Sequence, residues 1–225
     1  MRKYLLLILL PVGLFFTLKE PVVGLCILIG LYLIAPEIWG LPQSIKPVYL
    51  VSFFVGVGWI LKVFKGKKII ITREFKILVI LFFFMLISAT QAAVSKQVSY
   101  VFLQEVVKLV VAAFLTINVI DSYKKLNIFI WSLLFSSLYM TKSILLPGFG
   151  ATERGDIVVG LGLDANFGAM VMGMCIPIVI QKCRSQEKYE KYASYCILPV
   201  FIITMMSTGS RAGFLSLLLI TVLTI

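Results

Sequence analysis

The run ILVILFFFMLISA, Ile77 to Ala89, contains only one polar residue, Ser88. A half-wet β-strand alternates apolar with polar side chains, and this run does not. The wider segment, residues 75–93, comes close to the roughly 20 residues that a helix needs to cross about 30 Å of hydrocarbon. Similar segments recur at residues 47–64, 101–120, 124–145, 164–181, 194–208 and from 211 onward. Lipid admits only helices and closed barrels, and barrel strands would alternate. The sequence therefore predicts an all-α, polytopic transmembrane helical bundle, with residues 1–225 forming a single domain.

Composition points the same way. Of the 225 residues, 60% are hydrophobic and 14% charged, with a mean hydropathy of +1.05. A soluble domain is roughly a quarter charged, because its exterior must be solvated. The net charge of +11 could suit nucleic acid, but its placement argues against that partner. Lys62, Lys65, Lys67, Lys68 and Arg73 crowd one loop, Lys124 and Lys125 mark a second, and Lys182, Arg184, Lys188 and Lys191 fill a third. These loops alternate with charge-poor ones, as the positive-inside rule requires of cytoplasmic connections. Loops 94–100, 146–163 and 207–211 are then expected on the outer face, and membrane lipids are the expected surroundings.

The amino-terminal region reads differently. Arg2 and Lys3 favour a cytoplasmic start, yet the apolar pieces 4–18 and 21–35 are separated by Lys19-Glu20-Pro21. Each piece is only about 22 Å long at the helical rise, so a broken or re-entrant pair that crosses once is expected. No small-x-small site supports a cleaved signal peptide. Cys26, Cys175, Cys183 and Cys196 have no CxxC spacing. They read as small hydrophobes, and neither a metal nor another cofactor is expected.

With no histidine and ten acidic residues, few side chains can carry chemistry. The stretch RGDIVVGLGLDANFGAM, Arg154 to Met170, places Arg154, Asp156, Asp164 and Asn166 on the expected outer side. Asp164 or Asn166 can cap the helix that follows, or either can contact a ligand. Further along, STGSRAGFLSL, Ser207 to Leu217, sets Arg211 at the head of an apolar run. An arginine costs roughly 2.5 to 3.5 kcal/mol at the centre of a membrane helix and less at the interface. Arg211 is therefore either an interface anchor or a ligand contact. Arg154 and Arg211 reaching one cavity would suit a pyrophosphate, whose oxygens match the guanidinium fork. A helix amino terminus at Arg211 adds free amides and the positive dipole end. Gly209 and Gly213 read as a GxxxG packing step. Glu105 and Lys108, three apart on one helix face, form an internal ion pair or line the same outer cavity.

In this order, Glu105-x-x-Lys108, Arg154, Asp164-Ala165-Asn166 and Ser210-Arg211-Ala212-Gly213 resemble the O-antigen ligase and O-antigen polymerase family of membrane glycosyltransferases. The resemblance covers about residues 100–217, with Ala165 in place of a usual proline and Ala212 in place of a glycine. It implies transfer of a glycan from an undecaprenyl-pyrophosphate carrier, at the outer face of the bacterial inner membrane. The acceptor would be a hydroxyl of lipid A core, of a growing polysaccharide or of a protein. The reaction would be inverting and independent of metal. Arg154 and Arg211 match the family's pyrophosphate-holding arginines, and Asp164, Asn166, Lys108 and Glu105 are expected in the substrate site.

The family also carries a histidine on a large outer loop further along, and this sequence has none. The chain is therefore expected to be the amino-terminal part of a longer protein or a truncated form, inactive alone, and no catalytic residue is assigned. Two other classes compete. A polysaccharide or lipid transporter would show paired halves, and a structural subunit would tolerate loss of both arginines.

Overall fold

The protein is described by a computed structural model that covers residues 2–34, 47–91, 96–145 and 165–224. Within them the chain forms nine helices and no strand: α1 (Arg2–Lys19), α2 (Pro21–Ile34), α3 (Pro47–Phe64), α4 (Arg73–Thr90), α5 (Lys96–Val119), α6 (Tyr123–Leu145), α7 (Ala165–Cys183), α8 (Lys188–Ser207) and α9 (Arg211–Thr224). The expected all-α fold is the observed one. Among the described residues, three stretches are long and apolar enough to cross a membrane, Pro47–Phe64, Ser99–Val119 and Asn166–Cys183. Helix α4 holds Arg73, Glu74 and Lys76 within its 18 residues. Hydroxyl-bearing and charged residues dilute α6 and α8. These three helices consequently carry a weaker spanning signal.

The break between the first two helices falls at Glu20. Pro21 opens α2, where its missing N–H costs nothing because a first-turn amide has no intrahelical partner. Contacts group the helices into two compact units, one formed by Met1–Leu9, Cys26–Val48 and Ile128–Ile225, the other by Leu10–Leu25 and Tyr49–Asn127.

In the second unit, α3 lies tightly against the α1–α2 turn. A Cβ on Gly58 would sit 2.7 Å from the Thr17 carbonyl oxygen, and one on Gly24 would meet Thr17 and Val55 at 2.3 and 2.4 Å. Small residues allow this approach, which is how helices associate where lipid removes the hydrophobic drive.

The α3–α4 connection has no regular secondary structure and is held by side chains from the end of α5 and the turn after it. Asn118, fully buried near the end of α5, accepts the Ile70 N–H through Oδ1 at 2.8 Å. Its Nδ2 donates to the Ile70 carbonyl at 3.1 Å and to the Phe114 carbonyl at 3.0 Å. The amide thus pairs with both backbone groups of Ile70, and irregular backbone near lipid needs such partners. Beside it, Asp121 accepts from Lys67 at 2.7 Å and from Lys125 at 2.6 Å. The two basic loops of this unit therefore share one end, as the charge pattern predicts. Thr72 caps α4 by accepting the Phe75 N–H.

The first unit has its core between α6, α7 and α8, with Leu134 and Met140 packed against Met172, Ile176, Val179, Phe201 and Met205. Residues 172, 176 and 179 share one face of α7 because a helix returns every 3.6 residues. At one end of this unit, Glu190 accepts from Lys182 Nζ at 2.9 Å, Ser185 Oγ at 3.1 Å and Trp131 Nε1 at 3.1 Å. Three donors surround one carboxylate, which suits its burial and that of Lys182.

Two outcomes follow from the Asn118 clamp and its neighbour. Asn118→Leu keeps the side-chain volume but orphans both Ile70 groups, so stability should fall by about 2 kcal/mol. Hydrogen exchange at the Ile70 amide should speed up, and an unchanged rate would contradict the clamp. Burial favours the protonated form of Asp121, but hydrogen bonds and charge from Lys125 and Lys67 outweigh it and lower its pKa from 3.8 to about 2. The stabilisation is therefore present above pH 3.8 and is lost as pH falls through about 2. Melting curves of the wild type and Asp121→Asn should converge at that acid limit and separate above it.

Candidate functional site

The end of the first unit opposite Glu190 is built from the α8–α9 turn and the start of α7. Helix α8 closes at Thr208, whose hydroxyl donates to the Met205 carbonyl at 2.7 Å. Gly209 follows with φ +65°, the left-handed conformation that ends helices and that glycine adopts without strain. Its N–H reaches back to the Met206 carbonyl at 3.3 Å.

Ser210 then starts α9. Its hydroxyl accepts the Gly213 N–H at 3.1 Å, as a helix-capping serine does, and donates to Asn166 Oδ1 at 2.8 Å. One buried oxygen therefore caps α9 and ties it to α7. The Ser210 carbonyl takes the Phe214 N–H at 3.0 Å. Among the described residues, no hydrogen bond takes up the amides of Arg211 and Ala212.

Gly209 and Gly213 have separate roles, although their spacing reads as one packing step. Space around Gly209 is open, and the turn requires only its positive φ. Gly213 is the packing residue: a Cβ there would lie 2.6 Å from the Ala169 Cβ of α7.

Arg211 occupies the first position of α9 and is exposed. It stands at an open cleft of about 490 Å³, whose lining includes Met205, Met206, Gly209, Ser210, Phe214 and Leu215. Met206, Phe214 and Leu215 are 59%, 55% and 67% exposed, so the wall beside the guanidinium is apolar and open. The cleft offers an exposed cation and two free amides beside an apolar surface. That combination suits an anionic head carried on a lipid tail.

Of the residues expected in the site, Asn166 and Arg211 lie at this same end of the first unit, linked through Ser210. Because α7 begins at Ala165, Asn166 lies within the first turn. Lys108 belongs to the second unit, where its ammonium lies 5.3 Å above the Tyr49 ring. Arg154, Asp156 and Asp164 lie outside the described residues, as does the side chain of Glu105. Sequence reasoning overlooked the bridging role of Ser210 and the apolar wall of Met206 and Phe214. The signal for Ser210 was present, since serine directly before an apolar periodic run marks a helix start.

No protein-family model, curated protein or solved structure matches the chain.

The α7–α9 contact is open to test. Gly213→Ala should cost about 1 to 3 kcal/mol through overpacking, and Ala169→Gly in the same chain should restore most of it. Thermal unfolding in detergent reads both changes. A Gly213→Ala protein as stable as the wild type would rule out the close approach.

Proposed function

We propose that the chain binds a lipid-linked diphosphate glycan at a membrane surface, as part of a glycan transferase of the O-antigen ligase or polymerase type. The observation that carries this reading is Arg211 at the first turn of α9, exposed over an apolar cleft, with free amides beside it. The resemblance of Glu105-x-x-Lys108, Arg154, Asp164-Ala165-Asn166 and Ser210-Arg211-Ala212-Gly213 to that family supplies the chemistry. The carrier is an undecaprenyl pyrophosphate in a bacterial inner membrane, and the site belongs to the extracytoplasmic side. The acceptor is a hydroxyl of lipid A core, of a glycan or of a protein.

On this reading, the polyprenyl chain lies along Met206, Phe214 and Leu215 while the diphosphate meets Arg211 and the α9 amides. Arg154 is the second cation of the pair. As the bond from the anomeric carbon to the diphosphate oxygen breaks, negative charge grows on the leaving diphosphate. Donors already fixed in place stabilise that charge without reorganising. Asn166 acts through Ser210, whose hydroxyl holds the start of α9 in position.

Arg211→Ala in the full-length protein should lower glycan transfer by about 10²- to 10³-fold, the loss typical of a preorganised charge-stabilising donor. Arg154→Ala should behave similarly. Lysine at either position should recover only part of the activity, because it keeps the charge and loses the two-pronged fork. Transfer at the wild-type rate in both alanine variants would overturn the assignment.

A further inference from the structure

We propose that the α3–α4 connection is a binding site for anionic phospholipid headgroups at the basic end of the second unit. Its position follows from two candidate spans. The connection leaves α3 at Phe64, the last residue of one span, and Asn118 pins it next to Val119, the last residue of the other. A segment fixed at the ends of two membrane-length helices lies in the headgroup layer.

The composition of the segment suits that layer. Phe64 is 85% exposed, and Ile69 and Ile71 are 51% and 56% exposed on either side of the pinned Ile70. A soluble loop has no reason to hold large apolar side chains out in water, whereas the boundary between headgroups and acyl chains takes them in. Lys65 and Lys68 stand among them, and Arg73 and Lys76 follow in the first turn of α4 on either side of Glu74, all exposed. No ion pair among the described residues involves these four, while neighbouring Lys67 and Lys125 are paired with Asp121. Four cations next to exposed apolar side chains, around a backbone pinned at Ile70 by a buried amide, are complementary to lipid phosphates above an acyl surface.

Each basic residue near such a surface favours anionic lipid by about fivefold. The test is electron spin resonance on the full-length protein reconstituted in phosphatidylcholine bilayers, with spin-labelled phosphatidylglycerol or phosphatidylcholine as the probe. The expected result is a preference for phosphatidylglycerol in the motionally restricted lipid, weakened by salt and reduced at least tenfold in K65Q/K68Q/R73Q/K76Q. All four residues are exposed and lie outside the Asn118 clamp, so the variant should fold, and an unchanged exchange rate at the Ile70 amide checks this. A second measurement tests insertion: a fluorophore on Ile71→Cys should be quenched by lipids brominated at shallow acyl positions. Equal retention of the two lipids by the wild type would overturn the proposal, as would an undiminished preference in the quadruple variant. A fluorophore quenched only from the aqueous phase would show that the loop points away from the bilayer, toward a soluble partner, and would also overturn it.

Discussion

The Ser210 hydroxyl holds together the part of the structure on which the functional reading depends. It accepts from the Gly213 amide and donates to Asn166, so one oxygen both begins α9 and fastens it to α7. Everything around it follows from that double role. Gly213 must lack a side chain because Ala169 is already against it, and Gly209 must take a left-handed conformation to bring the chain round to Ser210. The backbone of Arg211 is thereby set at the first position of α9, with its side chain exposed.

The two units solve one problem by different means. In a lipid environment, irregular backbone needs internal partners, since water cannot supply them. The first unit keeps its turn short and satisfies it with the hydroxyls of Thr208 and Ser210. The second leaves a longer irregular connection and commits a fully buried asparagine to it. At the polar ends, both units gather donors round a carboxylate: Asp121 between two lysines, and Glu190 among Lys182, Ser185 and Trp131.

The helices were legible in the sequence because lipid forces long, continuous apolar runs, and the breaks at Glu20 and Gly209 carry strong local signals. The division into two units was not legible, since hydropathy is high throughout and no linker composition marks a boundary. Of the site, the Arg211 helix start could be read from the serine and small residues around it. The separate tasks of Gly209 and Gly213 could not, because spacing alone does not distinguish a glycine needed for its φ from one needed for its size. The hydrogen bonds of Asn118 to Ile70, 48 residues away, had no signal, since a long-range side-chain to backbone pairing leaves no periodic trace. Lys108 offered two readings by spacing, and its place over Tyr49 depends on a residue about sixty positions earlier in the chain.

On the proposed function, the start of α9 holds a diphosphate borne on a lipid. The most direct measurement is native mass spectrometry of the full-length protein offered undecaprenyl diphosphate and the uncharged polyprenol in competition. The wild type should retain the diphosphate preferentially, and Arg211→Ala should lose this preference while still binding the polyprenyl chain. Equal retention of the two lipids by the wild type, or a preference undiminished in Arg211→Ala, would contradict it.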